Sequence, residues 1–216
     1  MDKKLIIITG TTNGLGQELL NMINIKEYNI LTINRKEIKY DNDNIKNIVI
    51  DLADTKSINN LEINFDVKEI IFINNAFHES FGYIKNFSSS EIISIINTNI
   101  TSVILLTSIF LKKLKKNQNL KIINITTGVI DSIIPSWSLY CCSKKFIENF
   151  MITIDKEYTN VTCINFNPGI FSSNLQKKLR KSTELKINMN NYFDNIYKNK
   201  QLQDPKVVVT KILDLI

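Results

Sequence analysis

The sequence predicts a parallel α/β sheet, buried on both faces and covered by helices. Three observations carry this reading. Six apolar runs of four to six residues recur along the chain, longer amphipathic segments separate them, and a glycine-rich turn joins the first run to the first helical segment. Strands that read as continuous apolar runs are buried on both faces, the habit of parallel sheets with helical crossovers.

The runs "KLIIIT", "NILTIN", "NIVI", "EIIFIN", "KIINIT" and "VTCINF" are the six predicted strands. Helical spacing falls at about 14–23, 56–62, 88–96, 99–117, 139–158 and 205–216. The first helix follows the glycine turn, and the last opens with Asp204 as N-cap and Pro205 in its first turn. Between the second and third strands, "RKEIKYDNDNIK" is short and polar, so a loop or a single turn is expected. Residues 172–203 are rich in Asn and Lys with little apolar periodicity, and read as a mobile substrate lid. No Pro/Gly/Ser-rich linker divides the 216 residues, so the chain reads as one domain over 1–216.

Composition narrows the function classes. The net charge is +6, but the lysines of "LKKLKKNQNLK" and "QKKLRKSTELK" read as a helix C-terminus and a surface segment, which argues against a nucleic-acid partner. The apolar run near the start is too short for a signal-peptide core, and no segment reads as a membrane span, so a cytoplasmic chain is expected. Cys141, Cys142 and Cys163 have neither zinc spacing nor an even count for a disulfide framework; they read as reduced thiols, and no metal site is expected.

Two constellations carry chemistry. In "IIITGTTNGLGQELL" a strand, a turn with Gly10, Gly14 and Gly16, and a helix start follow one another. Glycine permits close approach of a pyrophosphate to the backbone, and the helix start offers free amides and a positive dipole end. A plain tight turn is the alternative for the glycines alone; their place between first strand and first helix favours a nucleotide. In "SLYCCSKKF", Tyr140 and Lys144 lie four apart on one helical face, a pairing that chance also produces.

With "TGTTNGLG", "INNA", "NITS", "INITTG", "YCCSK" and "NPG" in order, the chain resembles the short-chain dehydrogenase/reductase family over nearly its whole length. Within it, "WSLYCCSKKFIENF" and "NPGIFSSNLQKKLRKST" look most like the sepiapterin reductase and benzil reductase branch of carbonyl reductases. The resemblance implies a doubly wound Rossmann sheet in strand order 3-2-1-4-5-6. The chain stops at "KVVVTKILDLI", where family members continue into a seventh strand, so six strands are expected.

The family chemistry is hydride transfer between a nicotinamide and a carbonyl carbon, with a proton delivered to the oxygen. The resemblance makes Tyr140 the proton donor and Lys144 the residue that tunes it while reaching the nicotinamide ribose. Moving a phenol from pKa about 10 by about three units requires on the order of 4 kcal/mol of selective phenolate stabilisation, which a nearby ammonium can supply. Thr127 stands where the family usually has a serine that hydrogen-bonds the substrate carbonyl; a strand-end threonine capping a turn is the alternative. Asn99 matches the asparagine that holds a relay water, with Asn97 competing for the match and an N-cap as the bland alternative.

For the cofactor, the resemblance implicates Gly10, Thr12, Asn13, Gly14, Leu15 and Gly16 in the phosphate loop. Asp51 and Leu52 would lie near the adenine, although a loop acid capping a helix reads equally well for Asp51. Asn75 and Ala76 would line the adenosine side, but Phe77 replaces the family glycine and could tilt the backbone or intrude on the cofactor. Pro168, Gly169 and Ile170 would bring backbone groups to the nicotinamide amide, with Ser173 in place of the usual threonine. The second strand ends in Asn34 followed by Arg35 and Lys36, without the carboxylate typical of NAD users, so NADP(H) is expected over NAD(H), with a plain exposed basic loop as the alternative reading.

On the substrate side, Ile133, Ile134, Trp137, Phe171 and Leu175 read as an apolar wall or as packing. Asn174 replaces the acid that anchors a pterin amine, which favours a small ketone or diketone. His78 reads as a surface residue. The apolar helices near 101–117 and 140–156 resemble the family's dimer helices, so a homodimer is expected. A weakly catalytic nucleotide-binding sensor or scaffold of the same fold is the competing reading, motivated by Phe77, Thr127 and the missing strand.

Overall fold

The structure, a computed structural model, describes residues 3–132, 134–181 and 189–216. Six parallel strands, β1 (Lys4–Thr9), β2 (Tyr28–Asn34), β3 (Ile45–Val49), β4 (Glu69–Asn74), β5 (Asn119–Ile125) and β6 (Val161–Phe166), form one sheet in the order β3-β2-β1-β4-β5-β6. The strand order turns back between β1 and β4, and this switch point opens a crevice at the carboxyl ends of the strands, where this kind of sheet takes its ligand. The helices are α1 (Gly14–Met22), α2 (Thr55–Asn59), α3 (Ser89–Ile96), α4 (Ser102–Lys113), α5 (Ser138–Glu157), α6 (Asn174–Lys181), α7 (Met189–Lys198) and α8 (Pro205–Leu213).

Alternation along each strand sorts the core into two layers. Ile7, Ile70 and Phe72 face one side, where Leu106 and Phe110 of α4 and Met151 of α5 cover them. Ile6, Ile8 and Ile71 face the other, beneath Leu19 of α1 and Val208, Val209 and Ile212 of α8. The N-cap expected at Asp204 is formed, its carboxylate accepting from Lys206 N at 2.8 Å.

The ligand edge of the sheet is tied by amides. Asn74, Asn124 and Asn165 are in register on adjacent strands, so their side chains reach across: Asn74 Nδ2 donates to Asn124 Oδ1, and Asn124 Nδ2 to Asn165 Oδ1, each at 2.8 Å. Nearer the other edge, Asn34 Nδ2 donates to Asn47 Oδ1 at 2.8 Å and to Thr11 Oγ1 at 2.9 Å. Satisfied in this way, buried amides hold register where the loops leave the sheet.

Three expectations are corrected. The helical readings at 88–96 and 99–117 are one continuous helix, Ser89–Lys113, widened by a π turn at Asn97–Thr101. The chain does not break because Asn97 keeps helical dihedrals instead of capping. Joined, this helix is long and apolar enough by length and composition to cross a membrane, contrary to the sequence reading; here Val103, Leu106 and Phe110 pack it against the sheet. Residues 172–203, expected to lack periodic structure, carry α6 and α7, and Phe171 pairs with Gln203 across the base of the segment. Residues 182–188 of the expected lid and Ile133 of the expected wall lie outside the described residues.

Candidate active site

The glycine loop is built by close approach. Gly10 and Gly14 have φ of 74° and 60°, in the left-handed region that favours glycine. A Cβ on Gly10 would lie 2.9 Å from that of Ala76, and one on Gly16 would collide with Gly10 O and the Asn75 amide. Around Gly14 there is open space. Thr12 and Asn13 are exposed, and Asn13 makes no side-chain cap to α1, so the first amides of that helix remain available to an anion. Leu15 is buried and anchors the helix from below. These features fit a dinucleotide pyrophosphate.

Neighbouring segments hold this loop in place. Asn75 Nδ2 donates to Thr9 O at 3.0 Å and Gly10 O at 2.9 Å, while the Asn75 and Ala76 amides both donate to Thr9 Oγ1. Asn75 therefore shapes the phosphate loop directly, a role that strand and loop patterning does not reveal. Asn34 Oδ1 accepts from Thr11 N at 2.8 Å, so this amide also faces the loop. The next residues, Arg35 and Lys36, are exposed at the end of β2, with no ion pair among the described residues. Asp51 is exposed and accepts from Ala53 N at 2.9 Å, while the cap of α2 is Asp54; Leu52 is buried beside it.

After β6, Gly169 has φ 68° and its amide donates to Asn167 Oδ1 at 3.0 Å. Pro168 and Ile170 flank it, half-buried, with Ile170 O accepting from Gln203 N. The Ser173 hydroxyl accepts from Gln176 N at 3.1 Å and so starts α6.

Tyr140 and Lys144 lie one turn apart on α5, as their spacing requires. Tyr140 is 6% exposed. Burial raises its pKa above 10.0, while the Thr127 hydroxyl, as a hydrogen-bonding neighbour, favours the phenolate and opposes that rise. The phenol is thus held in its acid form, as a proton donor needs. The lowering expected from Lys144 is not seen here, because Lys144 is not among the groups that shift Tyr140: its Nζ donates to Ile125 O at 2.6 Å and sits 5.0 Å from the centroid of the Phe77 ring. Phe77 also meets Tyr140 edge-on at 5.9 Å, so its ring touches both members of the pair. Its φ is not positive, so this position does not use the left-handed backbone that would call for a glycine.

Lys144 is half-buried as a residue, yet its ammonium end is enclosed, and desolvation draws its pKa from 10.5 to about 8. The folded value lies below the unfolded one, so folding favours the neutral amine. The resulting penalty is present in full below about pH 8 and fades as pH rises toward 10.5. Lys144→Met is expected to raise the thermal midpoint at pH 7 and to flatten the stability gain of the wild type between pH 8 and 10.5. An unchanged pH profile of stability would contradict the enclosed ammonium.

Asn99, 8% exposed within the π turn, clamps the loop that follows β4. Its Oδ1 accepts from His78 N at 2.6 Å and its Nδ2 donates to His78 O at 3.0 Å. Asn97 instead donates to Ala53 O at 3.1 Å. The asparagine side chain therefore fixes the position of Phe77 and exposed His78, and a π turn is a common way to aim such a residue.

Trp137 and Phe81 pack against Tyr140, and Phe193 joins the same cluster through Trp137. Trp137 meets Tyr140 edge-on at 5.6 Å and Phe81 at 4.5 Å, and stacks on Phe193 of α7 at 6.0 Å. Ile134 and Leu175 pack against this cluster, whereas Phe171 joins the core on the α8 side of the sheet and is no part of the wall. Phe81 and Phe193 were missed from sequence, since neither lies on a readable period.

A doubly wound sheet with a glycine phosphate loop at its switch point and a Tyr–Lys pair nearby defines a nucleotide-binding α/β oxidoreductase. The chain belongs to the short-chain dehydrogenase family, whose family model, short chain dehydrogenase, matches residues 4–184; these are enzymes that interconvert carbonyls and alcohols. It is similar to benzil reductase ((S)-benzoin forming) of Bacillus cereus, 26% identical over 98% of this chain and 93% of that protein. The benzil reductase of Bacillus subtilis is 25% identical over 99% and 93%. A short-chain dehydrogenase/reductase structure from Saccharomyces cerevisiae shares the fold with a TM-score of 0.79, at 21% identity over 94% of this chain and 86% of that one.

Proposed function

We propose that the protein is an NADP(H)-dependent carbonyl reductase in which Tyr140 delivers the proton to the carbonyl oxygen. The observation that carries this is Tyr140 itself, buried with its pKa raised, hydrogen-bonded by Thr127 and one helical turn from Lys144, in a sheet whose glycine loop fits a dinucleotide. The bound nicotinamide supplies the hydride. Tyr140 O–H donates to the carbonyl oxygen as negative charge develops there, and Thr127 Oγ1 holds that oxygen in place. Lys144, one turn from Tyr140 on α5, would hold the nicotinamide ribose and stabilise the phenolate by its charge. Asn99 keeps Phe77 against both side chains, and the Trp137–Phe193 layer excludes water. Titration with NADPH followed by a screen of aldehydes, ketones and diketones tests the proposal; binding without turnover of any would favour a nucleotide sensor instead.

Thr127→Ser is expected to keep or improve turnover, and Thr127→Val to lower it about tenfold through loss of the hydrogen bond. Equal kinetics in the two variants would show that the hydroxyl is not used. A small carbonyl compound as substrate accords with the names of the benzil reductase relatives.

We place the protein in the cytoplasm, in keeping with its three free cysteines. As assembly we propose a homodimer through α4 and α5. These helices leave Phe146 about half exposed, one turn from Phe150, which lines an apolar groove with Ile104 and Leu111. Light scattering at micromolar concentration should return twice the chain mass, and a monomer would refute the dimer.

A further inference from the structure

A chain of side-chain amides leads from the phosphate loop to the basic turn after β2, and its polarity is set at one end. Thr11 N is a backbone donor, so the Asn34 atom that meets it at 2.8 Å is the carbonyl oxygen, and Asn34 Nδ2 is left to donate elsewhere. That nitrogen donates to Asn47 Oδ1 at 2.8 Å, and Thr32 Oγ1 donates to the same oxygen at 2.8 Å. With its oxygen committed to two donors, Asn47 turns its Nδ2 outward, where it donates to Lys36 O at 3.1 Å.

Strand geometry allows this reach. Asn47 on β3 is the register partner of Thr32 on β2, and Asn34 lies two positions past Thr32 on the same face. Thr11, Thr32 and Asn34 are 3%, 0% and 4% exposed, so a flipped amide would bury mismatched groups and only one arrangement is stable. The β2–β3 register ends at Asn34 and Val49, and Lys36 lies beyond it in an exposed bend. The Asn47 amide thus supplies, from a side chain, a donor to a carbonyl that has left the ladder.

We infer that Asn47 is a positioning residue for cofactor choice: by holding Lys36 O it fixes the turn that presents Arg35 and Lys36 to the 2′-phosphate of an adenosine. This rests on the NADP(H) reading. Arg35 and Lys36 have no ion pair among the described residues, so the backbone of the turn decides where their charges stand. A turn held before the phosphate arrives spares binding the cost of ordering it. Because the same chain of bonds ends on Thr11, the phosphate loop and the basic turn are held as one unit.

The test is calorimetric binding of adenosine 2′,5′-bisphosphate and of adenosine 5′-monophosphate to the ligand-free protein. Asn47→Thr keeps a β-branched residue with a hydroxyl on β3 but is too short to donate to Lys36 O. It and Asn47→Ala should each lower the preference for the bisphosphate about three- to tenfold. Thr32→Val, which spares the bonds of Asn47 to Asn34 and Lys36, should leave the preference unchanged. In an Arg35→Ala/Lys36→Ala background, Asn47→Thr should lower it no further, as expected of a residue that acts through those two. Equal weakening of both nucleotides in the Asn47 variants, or the same fall in preference in Thr32→Val, overturns the assignment by showing general damage to the strand. A fall that persists without Arg35 and Lys36 also overturns it. A wild type without preference for the bisphosphate defeats the NADP(H) reading and the assignment with it, whereas a preference that both Asn47 variants retain in full defeats the assignment alone.

Discussion

Tyr140→Phe is expected to lower turnover about a thousandfold while leaving the fold and NADPH binding intact. The substitution removes one oxygen and keeps the ring, so the contacts with Phe77, Phe81 and Trp137 survive. Nothing else in the aromatic layer can replace the proton: Trp137 is the nearest other donor type, and an indole N–H is far too weak an acid. Lys144, at about 8, would be the closest substitute in acidity, but its ammonium lies at Ile125 O. The check is kcat together with a fluorescence titration of NADPH for both proteins. Residual turnover above a tenth of wild type would remove Tyr140 from the mechanism.

The second large effect is on cofactor choice. Arg35→Ala should lower the ratio of catalytic efficiency with NADPH to that with NADH by about ten- to a hundredfold, the worth of a charge-assisted pair with a phosphate. Lys36→Ala should do less, because an ammonium is a point charge and a guanidinium is a planar fork. The structure strengthens the case for Arg35 in one respect: the Asn34 amide is bound to Thr11 and Asn47, so the first side chain past β2 free to meet a ribose substituent is Arg35. Arginine is also scarce, with Arg180 as its only companion in the chain. A wild type indifferent to the 2′-phosphate, or a ratio unchanged in Arg35→Ala, would overturn the preference.

The sequence by itself determined the strands, their parallel arrangement and the place of the phosphate loop. Each depends on local information: an apolar run such as "EIIFIN" can be stable only when buried on both faces, and Gly10 and Gly14 supply the positive φ that the turn from strand to helix takes. The one-turn spacing of Tyr140 and Lys144 likewise follows from helical geometry. What each of these side chains meets was decided by contacts between segments far apart in the chain. Asn99 is 21 positions from His78, yet its two bonds there hold the Phe77 loop and draw the π turn that joins two helices. Asn74 and Asn124, 50 apart, become a ladder only once β4 and β5 are in register. Lys144 faces Ile125 O and the Phe77 ring because an enclosed ammonium takes the acceptors that the tertiary fold brings to it, and periodicity carries no record of those.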